Sequence, residues 1–423
     1  MNSSKINYIF LIQMVMLLLL SCLSACQSDD KTEPEVVDET PEEEVPSDDM
    51  ETDSVQLIEH KLLLNLAYPD QINLFSSGAP GSFFLAVNGF GNSGFYDQVY
   101  LFNEKARIDW VQNLTPAGLN VHIPIGFSSS SQESKVVIRE NAIGDPEGMI
   151  ISSIDTAGII TGAFSLKEDF GFNSSDIPPV TKIGDHYVLS WVKRENTEHS
   201  SVHRVIAFNA EGTELWRDDF TGLRYSIAKT EIHDKHFFYA YQSLDSTGIT
   251  RSRIRIFDEN GQAIEDFYLA SNVLPEWGFE DETIVKLLVE ENIIYVLFER
   301  RGRLPDRRIA KYSLTGELLD EVEIDKKLYD FDLYPDGLWF IGNDLSFDYE
   351  VSTGKPFILK TSKNLEVSFQ SQFVDVNANG LLSRIIAHEN GTFVAIAISD
   401  ENYRLTPFVA SLDHQGQIIK TEE

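Results

Sequence analysis

Five arginines stand within nine residues of one another: Arg300, Arg301, Arg303, Arg307 and Arg308, in the stretch ERRGRLPDRR. Guanidinium groups converging from one rim hold a carboxylate or sulfate through paired N–H donors. Internal pairing with Glu280, Asp281, Glu299 and Asp306 is the plainer reading, because the chain carries a formal charge of −33. Trp277 and Phe279 lie in a nearby loop rich in Pro and acid. Exposed aromatics there would stack on sugar rings or anchor a protein, or else plug the loop itself. Asp375, Asn377 and Asn379 alternate as at the start of a calcium loop. Ile386 stands where such a loop needs Glu, and Ser383 offers no carboxylate at the ninth position. Calcium would be held weakly, and a plain Asn-Gly turn explains the same residues. His199 and His203, beside Glu195 and Glu198, have the spacing of a zinc pair. That spacing converges on a helix, and no helix is predicted there.

Catalytic signatures are missing. The sequence contains no G-x-S-x-G elbow and no phosphate-binding Gly-rich loop with Lys. Of two cysteines, Cys22 and Cys26, neither reads as a nucleophile or a disulfide partner. No cofactor is expected beyond weakly held calcium.

The elements that must position these residues repeat. Seven stretches share one form, a short apolar strand, a polar turn and a second strand. They include VIAFNAEGTELW from Val205, IRIFDENGQAI from Ile254 and VASLDHQGQII from Val409. The turn falls at Ala106, Gly158, Gly212, Gly261, Gly316, Asn364 and Gly416, at intervals of 52, 54, 49, 55, 48 and 52. Glycine suits a hairpin turn that needs positive φ; Ala106 departs, so a longer or differently shaped first turn is expected. Apolar strands opening at Phe83, Val136, Tyr187, Phe237, Ile293, Leu338 and Phe393 keep the same beat. β-Branched and aromatic residues fill the runs, and helical periodicity is almost absent.

Four strands per repeat of this length resemble a β-propeller. VIAFNAEGTELW, ending at Trp216, is similar to the strand-turn-strand of quinoprotein-like propellers, which mark each blade with Asp, Gly and Trp. The other repeats lack that tryptophan, so the resemblance does not extend to the cofactor-using enzymes. The expectation is an all-β, seven-bladed β-propeller with approximate blades 67–114, 115–167, 168–221, 222–270, 271–325, 326–373 and 374–423. Trp191, Trp339 and Tyr295 are expected in its core. Residues 55–66, with QLIEHKLLLNL from Gln56, are a candidate closing strand.

The N-terminus supplies an address. Lys5 precedes an apolar run from Ile9 to Leu20, which is short for a membrane span and suits a signal peptide. Leu23-Ser24-Ala25-Cys26 resembles a bacterial lipobox. The resemblance implies cleavage after residue 25 and a lipid on Cys26, so that 1–25 is signal and the outer membrane is a partner. Gln27-Ser28-Asp29-Asp30 resembles the export signal of Bacteroidota surface lipoproteins. Residues 26–54 hold thirteen Asp or Glu against one Lys, with three Pro and no aromatic. Such a segment cannot bury enough apolar surface to order itself, so a disordered tether is expected. Most of the negative charge remains on residues 55–423, and nucleic acid is excluded as a partner. Two functions follow. One is a non-catalytic, lipid-anchored propeller that binds a protein or glycan through its loop face. The other is an enzyme acting on glycans with acids and arginines at the central funnel.

Overall fold

The computed structural model describes residues 53–55, 69–76, 82–91, 94–113, 122–129, 133–140, 148–155, 159–167, 180–193, 200–223, 228–270, 282–300, 307–324, 326–344, 353–373, 377–399 and 405–419. All regular elements among them are strands. After β1 (Asp53–Val55), the strands form antiparallel groups of consecutive members. β2 (Pro69–Ser76), β3 (Phe83–Gly91), β4 (Gly94–Phe102) and β5 (Ile108–Asn113) make the first sheet. β6 (His122–Ser129), β7 (Glu133–Glu140), β8 (Gly148–Asp155) and β9 (Ile160–Lys167) make the second. β10 (Thr181–Ile183), β11 (His186–Lys193), β12 (Ser200–Phe208) and β13 (Glu214–Leu223) follow, then β14 (Lys229–His233), β15 (His236–Leu244), β16 (Thr250–Phe257) and β17 (Ala263–Tyr268). The fifth sheet is β18 (Glu282–Glu290), β19 (Ile293–Arg300), β20 (Arg307–Ser313) and β21 (Leu318–Ile324).

The remaining strands are β22 (Lys327–Tyr334), β23 (Gly337–Asp344), β24 (Thr353–Thr361) and β25 (Val367–Phe373), then β26 (Asn377–His388), β27 (Gly391–Ser399) and β28 (Leu405–Leu412). A short β24–β26 pairing, Thr353 with Asn379 and Gly354 with Ala378, joins these two groups into one sheet. The last group gains a single bridge from Ile418 to Leu412 in place of a fourth strand. The innermost strands β10, β14, β18, β22, β26 and β2 pack in succession, and β26 against β2 brings the last group back to the first. The fold is a β-propeller, and the strand count fits seven blades.

Where side chains are described, the second strand of a blade is apolar on both faces because both meet a neighbouring blade. Phe83 to Val87, Phe237 to Tyr241, Ile294 to Phe298 and Phe393 to Ala397 are all buried, as are Trp191, Tyr295 and Trp339. One cluster joins Phe83, Leu85 and Phe102 of the first blade to Phe393, Ala395 and Val409 of the last. Side-chain packing therefore closes the ring at that seam. Gln56 to Leu66 lie outside the described residues, so the expected closing strand does too. The end of the acidic stretch is ordered: Asp53 to Val55 pair in parallel with Ser371 to Phe373 on the outer edge of β25. An outer strand leaves one row of backbone groups unpaired, and β1 meets part of that row.

The turn between third and fourth strands recurs with one chemistry. Its first residue accepts the amides two and four positions on: Asn103, Asn209, Asp258, Ser313, Ser362 and Asp413 all do so. The first turn, expected to differ, has the same form, with Ala106 at φ 57°. In the sixth blade the positive φ falls on Leu365 (63°), one residue after Asn364. Neighbour chemistry explains the choice. Gly261 lies against the Trp216 ring of the preceding blade, Gly316 against Phe267 and Gly416 against Phe369, so a side chain there would overlap an aromatic. Leu365 follows a blade with Asp320 at the position equivalent to Trp216, and the leucine itself fills the seam.

Gly261→Ala is therefore expected to cost about 2–4 kcal/mol, from the left-handed backbone and the displaced Trp216. Gly248, also at positive φ (82°), faces open space, and Gly248→Ala should cost about 1 kcal/mol. Urea denaturation of the two variants measures the difference; equal costs would show that the Trp216 contact contributes nothing.

Candidate functional site

Four consecutive innermost strands each bring charge to the centre of the ring. Glu231 stands on β14, Lys286 on β18, Asp330 and Asp332 on β22 and Arg384 on β26. Bulges decide where they point. Val285 is an extra residue in β18, and Tyr329 is an extra residue in β22. One extra residue reverses the alternation of every side chain that follows. Ile284, Leu287 and Val289 consequently pack toward the fourth blade, while Lys286 and Leu288 turn toward the sixth. Leu328, Phe331 and Leu333 pack toward the fifth blade, leaving Asp330 and Asp332 to face β26. Lys286, Asp330 and Asp332 thus lean on the next blade round.

The contacts form a chain. Lys286 Nζ lies 2.9 Å from Asp330 Oδ1. Asp330 Oδ2 accepts the Ile385 amide at 3.0 Å, and Asp332 Oδ2 accepts the Ala387 amide at 2.7 Å. The aspartates are two residues apart, and so are their donors. Two side chains therefore stand in for the backbone ladder that β22 and β26 lack. Burial pushes the Glu231 carboxyl up to about 8, with Asp332 adding to the rise and Lys286 opposing it. Burial also raises Asp332 and lowers Arg384. Burial works against the Lys286 charge as well, but Asp330, Asp332 and Glu231 outweigh it and hold the ammonium protonated. Lys286 keeps 29% of its side chain open to water, so the arc is enclosed by protein but wetted. Such an arrangement can hold a proton on Glu231 at neutral pH and can tie blades together by charge.

The residues singled out in the sequence lie elsewhere. Arg307 and Arg308 are buried in β20. Arg307 bonds Glu299 at 2.9 Å and the Leu328 carbonyl at 2.6 Å. Arg308 grips both Glu282 oxygens at 3.1 and 2.7 Å and Glu321 at 2.5 Å. The structure turns these two guanidinium groups inward. Arg300 ends β19, with its side chain outside the described set; Arg301, Arg303, Trp277, Phe279, Asp375 and Cys26 also lie outside the described residues. Asn377 and Asn379 are in β26, paired with Ser399 and Ala397. His203 is buried in β12, with Nδ1 2.7 Å from the Tyr239 hydroxyl. Among the described residues, no group of three or more His, Cys, Asp or Glu is placed to hold a metal. The charged arc lies on inner strands and not on the loops that the sequence points to. Its signal was charge interrupting an apolar first strand, Lys286 in TIVKLL and Asp330 and Asp332 in YDFDL.

Fold and arc together define an all-β propeller with a charged, water-accessible centre. No protein-family model matches the sequence, and no curated protein matches it either. Solved structures similar to this chain include the polysaccharide lyase Uly1, at 9% identity and TM-score 0.49, covering 81% of this chain and 89% of that one. The β-propeller domain of the Trilobed protease from Pyrococcus furiosus is similar at 9% identity and TM-score 0.48, over 82% and 93%. BamB from Moraxella catarrhalis is similar at 16% identity and TM-score 0.41, over 84% and 90%.

Proposed function

We propose that this chain is a lipid-anchored, seven-bladed propeller of the cell envelope that binds a protein or glycan partner through its loop face, without catalysis. The observation that carries this reading is the use made of the charged groups. Arg307, Arg308, Asp330 and Asp332 are held in internal pairs that fix strands and blades. Groups fixed in this way make a rigid scaffold, and binding then falls to loops displayed on it. The loops carrying Arg300, Arg301, Arg303, Trp277 and Phe279 are the first surface to test, and Asp375, Asn377 and Asn379 the first place to look for calcium. Cys26 is the proposed anchor, placing the protein at the outer membrane, on the cell surface or else on the periplasmic face.

Growth of cells with an alkyne fatty acid should label the native chain, and Cys26→Ser should lose both the label and the membrane fraction. A labelled Cys26→Ser protein would remove the anchor. A glycan array and cross-linking on intact cells then test binding; capture by neither would remove the binding role. The second reading, an enzyme acting on glycans with acids and arginines at the central funnel, draws on Glu231, a carboxyl on β14 that burial pushes up to about 8. Turnover of a glycan library that disappears in Glu231→Gln would favour it.

A further inference from the structure

We propose that Lys326 and Lys327, at the loop end of the seam between the fifth and sixth blades, bind the carboxylate or sulfate of an acidic sugar. The inference rests on the binding role proposed above and names the chemistry of its ligand.

Contacts bring three cations to one place. Consecutive strands are antiparallel, so the β19–β20 and β21–β22 connections lie at the same end of the blades. Lys326 and Lys327 stand where β21 gives way to β22, and Arg307 opens β20. Arg307 and Lys327 each lie 5.9 Å from the centre of the Tyr329 ring. Lys326 lies 5.0 Å from the centre of the Phe357 ring, which packs in the same seam. Arg307 Nε donates to the Leu328 carbonyl at 2.6 Å, which fixes the guanidinium against the strand that Lys327 opens.

The two lysines differ from the other cations in their partners. Lys235, Lys286, Lys360 and Lys363 each pair with a carboxylate, and Arg307 pairs with Glu299. Lys326 and Lys327 are half-buried and make no ion pair or hydrogen bond among the described residues. Lys182 and Lys311 stand singly on β10 and β20, and Lys105 and Arg107 are exposed on a turn. An ammonium half out of water loses hydration, and a ring beneath it returns only part of the loss. Neighbouring ammoniums also repel each other. An anion shared by Lys326 and Lys327 relieves both costs.

Charge also selects the class of ligand. A lysine offers three N–H donors in no fixed plane, which suits the oxygens of a carboxylate or sulfate. The chain as a whole carries −33, so it repels a polyanion or an acidic protein at long range. A sugar with a single acid group escapes most of that repulsion.

Titration calorimetry of the full-length chain in detergent tests the site with glucuronate, N-acetylglucosamine 6-sulfate and glucose. At least one acidic sugar should bind saturably, and glucose should not; which acid binds separates carboxylate from sulfate. Lys326→Gln and Lys327→Gln should each weaken that binding about tenfold, the share of one charged hydrogen bond. No binding of either acidic sugar, equal binding of glucose, or unaltered affinity in both variants would overturn the proposal. An oligoglutamate that binds more tightly than both sugars would also overturn it, by giving the site to protein carboxylates. Should a variant fail to fold, lysine acylation of the unaltered chain reads the same site by mass spectrometry. The acidic sugar should slow acylation of Lys326 and Lys327 and spare the exposed Lys235; equal rates with and without sugar reject the site. A neutral glycan or a protein, captured equally well by both variants, would keep the binding role and remove the acidic-sugar site.

Discussion

Arg308→Met should lower the stability of the propeller by about 3–5 kcal/mol, read as a shift in the urea midpoint. Arg308 and Glu282 have only 1% and 2% of their side chains exposed. The guanidinium is bidentate to Glu282, bonded to Glu321, and lies 4.3 Å over the Phe298 ring. One side chain thereby ties β18, β19, β20 and β21 together. Removing it strands a carboxylate in an interior that water cannot reach, and that desolvation is the main cost. Arg308→Met combined with Glu282→Leu should recover most of the loss, because no charge is left without a partner. A double variant as unstable as the single one would show that packing around Phe298, and not charge, sets the cost.

His203 should make the native chain more acid-sensitive than its His203→Phe variant by about 3 kcal/mol once the pH is below 4. The imidazole is fully buried, packed between Phe220, Tyr239 and Tyr241. Burial holds its pKa down at about 4, with a backbone contact to Leu223 opposing the shift. The unfolded chain takes up this proton near pH 6.5 and the folded chain only near 4. Above 6.5 both states are neutral, and the histidine costs nothing. Between 6.5 and 4 the unfolded state binds the extra proton, so stability falls as pH falls. Glu231 acts in the opposite sense. Its raised pKa means that stability is greatest below its ordinary value and declines as pH rises toward 8. The two slopes oppose each other near pH 5 to 6, so the effect of His203 must be read as native minus variant. Loss of the hydrogen bond to Tyr239 adds an offset that does not vary with pH. A difference that stays constant from pH 7 to pH 4 would show that His203 does not titrate as described.

The sequence by itself determined the unit. Strand, turn and strand at a steady interval follow from local chemistry: apolar β-formers, an Asn, Asp or Ser that caps the turn, and a glycine at positive φ. These are preferences of a few adjacent residues, and a period exposes them. Turn position was legible to within a residue. Only neighbours from another blade explain why Leu365 replaces glycine in one turn, or why Phe267 and Phe369 do the work of Trp216 in others.

Tertiary structure alone decided the site. Arg307 and Arg308 read as a basic rim because a linear sequence cannot show that Glu282 and Glu321 lie across the same sheet. Glu231, Lys286, Asp330 and Arg384 are separated by about fifty residues at each step, the length of one blade, and they meet because four inner strands are brought side by side. Single-residue bulges at Val285 and Tyr329 then turn the charges out of the apolar seams. Side-chain direction in a strand depends on the parity of a count, and an inserted residue that changes that parity leaves no mark in composition or period.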